Sequence, residues 1–266
     1  MQAPFGTYRP TAAQSLLIRL VRLASPRGSF RTLAATALKA IRPGPIDDTF
    51  DGVPFRFELD SPGDRLALLA PGRCDPVERR LIAENMGPGG TFVDIGASIG
   101  IYSIGIAVAR PDARVLAFEP EADVFERLSF NIASAGLGDR ITARAVALGD
   151  HAGTLSFDRA LGTAASSAGN AKFPSDTLAG ALRSADVSSF DALKIDIEGF
   201  EDRVLHPFYE ATDAALWPRL VVIEHVFPDR WQRNCLTLLA VHGYETIWRG
   251  ALNTVLLRRP APAPRP

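Results

Sequence analysis

Residues 91–100 read Thr-Phe-Val-Asp-Ile-Gly-Ala-Ser-Ile-Gly. The first five form a short apolar run that is typical of a buried strand. Gly96 allows the chain to turn sharply, and Gly100 allows close backbone approach at the start of a helix over residues 99–110. The stretch therefore predicts a strand, a tight loop and a helix, the unit from which ligand-binding α/β sheets are built.

The same alternation of strand and helix continues downstream. It predicts a mostly parallel sheet covered by helices on both faces. The last two strands are joined by too few residues for a parallel crossover, so they are expected to pair antiparallel. The fold class is therefore α/β: a Rossmann-like doubly wound, mostly parallel sheet with a reversed terminal strand. Strands are predicted at residues 91–95, 114–118, 141–148, 154–158, 191–197, 219–224, 244–249 and 252–258, and further helices at 121–135, 176–185, 200–210 and 229–241.

Acidic side chains follow several of these strands. Glu119 lies 23 residues after Gly96, close to the spacing of about 20 residues at which a carboxylate meets a ribose. This pairing predicts a cofactor that carries a nucleoside. The loop lacks the middle glycine of a dinucleotide fingerprint, and the carboxylates of Asp94, Glu119, Asp196 and Glu198 would repel a pyrophosphate. They favour S-adenosylmethionine, which carries an ammonium and a sulfonium.

Residues 193–201, Leu-Lys-Ile-Asp-Ile-Glu-Gly-Phe-Glu, are the most specific stretch. An apolar strand rarely ends in so many charges without a role, because unpaired buried charge is costly. This run resembles the hallmark of FkbM-family methyltransferases. Asp-Ile-Gly-Ala-Ser-Ile-Gly at 94–100, Phe-Glu-Pro at 118–120 and Ala-Leu-Gly-Asp-His-Ala-Gly at 147–153 are similar to that family in the same order, so the resemblance covers about residues 76–258.

The resemblance implies a Rossmann-like fold that binds S-adenosylmethionine and methylates a hydroxyl on a sugar, polyketide or other secondary metabolite. By position, Asp94, Gly96 and Gly100 would hold the methionine end and Glu119 the ribose. Asp196 would lie by the methionine ammonium or the acceptor.

The sequence departs from the family pattern at two positions. Ser98 stands where the family often has Asn; it is retained as a cofactor-binding candidate, although the change would weaken one contact. Ala179 follows Thr177-Leu178 where the family often has Asp.

Methyl transfer to a hydroxyl also requires a group that takes up the hydroxyl proton. Asp196, Glu198 and His225 are the candidate catalytic residues; His225 follows a strand and titrates near neutrality. A metal ion shared by these residues and Glu224 is a weaker alternative, and no metal is predicted. Two other functions stay open: a non-catalytic nucleotide-binding or regulatory module on the same fold, and an NAD(P)-dependent oxidoreductase.

The composition narrows the class of protein. The 266 residues sum to a formal charge of −1 with a pI near 6.4, which argues against binding nucleic acid through its phosphates. Two cysteines provide neither a disulfide framework nor a metal cluster. Since the sequence contains neither a spanning apolar run nor a recognisable signal peptide, a cytoplasmic location is expected. The expected partner is a hydroxylated small molecule or a glycan, and the sequence gives no oligomeric state.

The charge is unevenly distributed along the chain. Residues 1–46 contain seven Lys or Arg and no Asp or Glu, and amphipathic helices are predicted at 12–24 and 29–41. Residues 9–42 could contact an anionic membrane or an acidic partner, or they could simply pack on the main domain with their arginines in solvent.

These observations predict three regions. They are a basic N-terminal extension with a helical arm and a short β segment (1–75), a methyltransferase domain (76–259) and a disordered proline-rich tail (260–266). The methyltransferase domain begins with a helix at 76–86, with Asp75 as its N-cap. The small, polar loop at 162–170 is either a lid or a surface connection.

Overall fold

The structure is a computed structural model that describes residues 2–24, 28–158 and 170–259. The proline-rich tail and all but the last residue of the 162–170 loop lie outside the described residues. The described helices are α1 Ala12–Ala24, α2 Gly28–Ile41, α3 Pro62–Leu69, α4 Pro76–Asn85, α5 Ile101–Ala109, α6 Ala122–Ser134, α7 Leu178–Arg183, α8 Glu201–Ala211 and α9 Cys235–Val241. The described strands are β1 Ile46–Phe50, β2 Val53–Phe57, β3 Thr91–Ile95, β4 Arg114–Phe118, β5 Ile141–Arg144, β6 Ala147–Gly149, β7 Gly153–Asp158, β8 Asn170–Thr177, β9 Ala192–Ile195, β10 Leu220–Glu224, β11 Tyr244–Arg249 and β12 Asn253–Arg258.

A seven-stranded sheet forms the centre of the molecule, in the order β11-β12-β10-β9-β3-β4-β5. Strands β10, β9, β3, β4 and β5 run parallel, whereas β12 runs antiparallel to both β10 and β11. The predicted doubly wound sheet with a reversed terminal strand is therefore confirmed. The reversed strand lies one position inside the sheet, because β11 forms the edge.

The register of the central strands fixes where the loops emerge. Ile95 at the end of β3 pairs with Phe118 of β4 on one side and with Ile195 of β9 on the other. The residues that follow these three strands consequently leave the sheet at the same level, at its carboxyl edge. Ligands bind at this edge in open parallel sheets.

A small second sheet, in the order β6-β8-β7, was not predicted. The strand expected over 141–148 is two strands, because the chain leaves the large sheet after Arg144 and residues 147–149 pair with β8 instead. The helix expected at 176–185 is shorter and begins at Leu178, since residues 170–177 belong to β8. Strand β8 takes its hydrogen bonds from distant partners, which local sequence patterns do not reveal.

The sheet separates two layers of core. On one face Phe92, Val115 and Val222 pack with α4, α5, α6 and the N-terminal segments. On the other, Val93, Ile195 and other strand residues pack with α7, α8 and α9. Because side chains alternate along a strand, Asp94 points to the same face as Phe92, beneath α5.

The N-terminal extension shares the first of these cores. Ile18, Leu38 and the aromatic rings of Phe50, Phe55 and Phe57 are buried in one cluster with Phe92. The predicted helices and short β segment are present, together with β1 and α3, which the sequence analysis did not identify. The division of the chain at residue 75 stays a prediction.

A buried ion pair fastens this extension. The guanidinium of Arg56 donates to both carboxylate oxygens of Asp47, at 2.7 and 3.0 Å, and to the carbonyl oxygens of Ala3 and Pro4. Its backbone N–H donates to the side-chain oxygen of Asn131 on α6, at 2.9 Å. The pair thus ties the first residues of the chain to β1 and β2, and the Arg56 backbone ties β2 to α6.

Among the helices of the described ranges, none combines the length and the hydropathy needed to cross a bilayer.

Candidate functional site

The loop after β3 depends on its two glycines. Gly96 has a φ of +76°, and a Cβ built on it would lie 2.0 Å from the carbonyl oxygen of Asp196. Gly100 has a φ of +97°, and its Cβ would lie 2.8 Å from a methyl group of Leu128. Because both positions combine left-handed backbone with close contact, only glycine fits them. The loop is thereby held flat against the residues that follow β9.

Glu119 connects this loop to the next strand. Its carboxylate accepts hydrogen bonds from the backbone N–H groups of Ser98 and Glu121, each at 3.0 Å. Burial raises the pKa of Glu119, and these two hydrogen bonds act in the opposite direction. Each carboxylate oxygen has a second lone pair, so the group can accept further hydrogen bonds from a ligand.

Asp94 lies below the loop and is fully buried. Its Oδ2 accepts a hydrogen bond from the Ser103 hydroxyl at 2.6 Å, and its Oδ1 lies 3.7 Å from Lys194 Nζ. Burial raises its pKa, and the charge of Lys194 opposes that shift. Asp94 therefore supports the loop from inside the protein, and its predicted contact with a cofactor stays a prediction.

Lys194 is the cation at the centre of the site. Its Nζ donates to the carbonyl oxygen of Gly96 at 2.7 Å and lies 3.5 Å from Asp196 and 5.4 Å from the centre of the Tyr102 ring. Burial alone would lower the pKa of Lys194, but the negative charges of Asp196 and Asp94 outweigh it and raise the pKa. No role was predicted for this lysine, although a charge within a buried strand is a signal for one.

Glu201 shapes the loop that carries Asp196 and Glu198. It is fully buried, and its Oε1 accepts from the N–H groups of Ile197 and Gly199 at 2.9 and 3.2 Å. Its Oε2 accepts from the indole N–H of Trp231 at 2.6 Å. This residue was quoted in the family hallmark without a role; the structure shows that it holds the loop in place.

The loop leaves two carboxylates near the strand ends. The Asp196 side chain is 35% exposed, so a ligand can reach it. Glu198 has a φ of +59°, and its pKa is raised by burial and then by the charge of Asp196. The backbone carbonyl of Glu198 accepts a hydrogen bond from Arg230 at 2.9 Å.

Glu224 and Asp75 are two further carboxyl groups beside Asp196. Burial, followed by the charges of Asp196 and Glu198, raises the pKa of Glu224 to about 9, so this carboxyl is neutral at pH 7. Asp75 occupies the predicted N-cap position of α4 but makes no capping hydrogen bond; its carboxylate instead interacts with the Tyr102 hydroxyl.

His225 makes different contacts from those of Glu224. Its Nδ1 lies 3.0 Å from the Thr254 hydroxyl, and its pKa is lowered by burial and then by the charge of Arg249. The imidazole is therefore neutral at pH 7 and can accept a proton at one ring nitrogen. In the part of the chain that the structure covers, no three His, Cys, Asp or Glu side chains are arranged to hold a metal ion.

Most of the predicted site residues come together. Direct contacts link Ser98 to Glu119 and the backbone of Gly96 to that of Asp196, and Lys194 lies between Asp94 and Asp196. Glu198 and Asp196 interact electrostatically. The described contacts of His225 do not include any of the other candidates.

A groove of about 520 Å³ lies elsewhere, between α4 and α5, and none of the predicted site residues line it.

The chemistry of this edge fits the predicted cofactor. The Gly96 position leaves no room for a side chain beside the Asp196 backbone, and Glu119 and Asp196 can accept hydrogen bonds from hydroxyl and ammonium groups. The carboxyl groups of Asp94, Glu119, Asp196 and Glu198 outnumber the cations Lys194 and Arg230 in the described part of the site, which suits a positively charged ligand.

Comparison with known proteins gives three similarities. The sequence model of the family described as Methyltransferase FkbM domain matches residues 94–246. AMB antimetabolite synthetase AmbE from Pseudomonas aeruginosa is 34% identical over 85 residues, which are 29% of this chain; the match spans 4% of that relative's length. Precorrin-6y C5,15-methyltransferase from Geobacter metallireducens superposes with a TM-score of 0.46 at 12% identity, over 68% of this chain and 87% of that one.

Proposed function

The chain belongs to the FkbM methyltransferase domain family, and from this premise we propose that it transfers the methyl group of S-adenosylmethionine to a hydroxyl oxygen of a sugar, glycan or secondary metabolite. One observation carries the proposal. The glycine loop, Glu119 and Asp196 meet at the carboxyl edge of the sheet, with the loop held against the Asp196 backbone through Gly96.

The proposed binding roles follow from these positions. Glu119 accepts hydrogen bonds from the ribose hydroxyls, and Asp196 from the methionine ammonium. Gly96, Ser98 and Gly100 provide the backbone surface on which the methionine end rests. Asp94 acts from below, through Ser103 and Lys194.

S-adenosylmethionine supplies an electrophilic methyl group on a positively charged sulfur, which needs no further activation. The protein has to align the acceptor hydroxyl, exclude water and take up the hydroxyl proton. Asp196, Glu198 and His225 are the proposed catalytic residues. The lowered pKa of His225 keeps its imidazole neutral at pH 7, which favours it as the proton acceptor.

The first test is cofactor binding. Calorimetric titrations with S-adenosylhomocysteine and with NADH distinguish the proposed function from its two alternatives. Binding of S-adenosylhomocysteine alone supports the proposal, binding of NADH alone favours an oxidoreductase, and binding of neither favours a non-catalytic module.

Variants test the individual roles. Glu119→Gln is expected to weaken S-adenosylhomocysteine binding by about tenfold, equal to one lost charged hydrogen bond of ~1.4 kcal/mol. Asp139→Asn is the matched control, because this exposed carboxylate lies at the opposite end of the sheet. If both variants lose the same affinity for S-adenosylhomocysteine, Glu119 does not have the proposed role in cofactor binding.

A second set tests the chemical step. Methyl transfer from labelled S-adenosylmethionine to a panel of hydroxylated sugars and metabolites identifies the acceptor class. His225→Ala is expected to slow transfer and flatten its pH profile while cofactor affinity stays unchanged. Full activity in this variant would leave Asp196 or Glu198 as the proton acceptor.

A further inference from the structure

Helices α1 and α2 each bury one face and turn an apolar stripe outward. On α1, Ile18 is buried against the core, whereas Leu16, Leu20 and Leu23 form an exposed row at helical spacing. Leu23 is 84% exposed. Such a row of large side chains on the surface is costly in water unless another surface covers it.

The second helix repeats the arrangement. Ala34 and Leu38 of α2 are buried, while Phe30, Leu33 and Ile41 are exposed, Phe30 to 68%. Both helices bury their inner faces in the same core, so both exposed stripes lie on the outer side of the extension. We call the six residues Leu16, Leu20, Leu23, Phe30, Leu33 and Ile41 the outer stripe.

Positive charge surrounds the outer stripe. Residues 1–46 contain no acidic residue, and the exposed Arg19 lies between Leu16 and Leu20. Among the described residues, Arg22 and Lys39 form ion pairs with Asp48 and Asp60. The charges of Arg9, Arg19 and Arg42 are not balanced by an ion pair within the described ranges.

A further cationic cluster lies at the start of α2. The pKa of Arg31 is lowered by burial and then by the positive charges of Arg73 and Arg65.

We infer that the outer stripe and its arginines dock on an anionic lipid bilayer, with α1 and α2 lying in the plane of the headgroups. Large apolar side chains flanked by arginines are the pattern of helices that bind at this depth, since leucine and phenylalanine enter the acyl boundary while guanidinium groups contact lipid phosphates. An acidic and wholly polar protein partner would match the charge but would leave the exposed row of leucines uncovered. This surface is separate from the carboxyl edge of the sheet, so its test is independent of the proposed function.

Vesicle flotation of the full chain tests the inference. The chain is expected to float with vesicles of equal parts phosphatidylcholine and phosphatidylglycerol, and not with phosphatidylcholine alone. Binding is expected to fall as NaCl is raised to about 0.5 M, because salt screens the attraction. Equal flotation with both vesicle types, or with neither, would overturn the inference.

Variants locate the binding surface. The double variant Leu23→Glu/Phe30→Glu is expected to lower the bound fraction by about tenfold or more, because it removes two anchors and adds repelling charges. Val241→Glu is the matched control, since Val241 is 77% exposed on α9 and lies outside the outer stripe. Thermal unfolding of both variants checks that the fold is retained.

Two results would contradict the assignment. If both variants bind vesicles as the unchanged chain does, the outer stripe is not the docking surface. If sedimentation shows a dimer that Leu23→Glu/Phe30→Glu dissociates, and no form of the chain binds vesicles, the stripe is instead an interface between two copies.

Discussion

Replacing Glu201 by glutamine should disrupt the loop that carries Asp196 and Glu198. Three N–H donors converge on the Glu201 carboxylate, two at Oε1 and one, from Trp231, at Oε2. A glutamine keeps one side-chain oxygen, and the backbone N–H groups of Ile197 and Gly199 both need that oxygen as their acceptor. Its NH₂ group must then face the indole N–H of Trp231, so that two donors oppose each other.

The expected cost follows from this geometry. A hydrogen bond to a charged group is worth ~1.5–3 kcal/mol, and a buried donor left without a partner adds to the loss. Glu201→Gln should therefore lower the free energy of unfolding by about 2 kcal/mol. Glu201→Ala removes all three acceptor contacts and should cost about 3–5 kcal/mol, in the range for a broken buried network.

Urea unfolding followed by circular dichroism measures these values, and a double-mutant cycle isolates the contact. Trp231→Phe removes the indole donor, so Glu201→Gln should cost less in that background than in the unchanged chain. Titration with S-adenosylhomocysteine reports whether the loop still supports binding. A cost below about 0.5 kcal/mol for Glu201→Gln, or no coupling to Trp231, would refute the reasoning.

Three other changes have defined outcomes. Gly96→Ala should destabilise the fold by about 2–4 kcal/mol and abolish cofactor binding, because the new Cβ meets the Asp196 carbonyl and the φ is +76°; urea unfolding and calorimetry measure both. The pKa of Glu224 is 4.5 in the unfolded chain and about 9 in the folded chain. The folded state therefore binds an extra proton between these pH values, and the free energy of unfolding falls as the pH rises through them. Glu224→Gln removes this titration, so its free energy of unfolding should increase relative to that of the unchanged chain between about pH 5 and pH 9. Arg56→Met leaves the buried Asp47 carboxylate without its cationic partner and should cost about 3–5 kcal/mol in the free energy of unfolding.

Matched controls keep these results interpretable. Gly138→Ala places a methyl group where nothing lies within 4 Å and should change stability little. Arg80→Met removes an exposed arginine that is 3.9 Å from its partner, and a loss as large as that of Arg56→Met would contradict the role given to the buried pair. A stability difference between Glu224→Gln and the unchanged chain that does not vary with pH would contradict the neutral state of Glu224.

The parts of the fold that could be predicted are those with strong local patterns. The apolar run before Gly96 and the strand before Glu119 have such patterns, and parallel register then brings their ends together. Strand β8 could not be found in this way, since its pairing depends on β6 and β7 rather than on its own sequence.

The site was predictable where a residue's role follows from its place at a strand end. Glu201 was missed because its three partners come from two loops that only the folded chain brings together. The weaker alternative of a metal ion held by Asp196, Glu198, Glu224 and His225 did not take the alternation of side chains into account: Glu224 interacts with Asp196, whereas His225 contacts Thr254. Because successive side chains point to opposite faces, this alternation places residues 224 and 225 on different sides of the sheet.

The position of β12 has a consequence for biosynthesis. This strand fills the gap between β10 and β11, yet it is translated after every other described strand. Until residues 253–258 leave the ribosome, the nascent sheet presents the unpaired backbone of β10, which another polypeptide strand can join. The large sheet can therefore be completed only after residues 253–258 have left the ribosome.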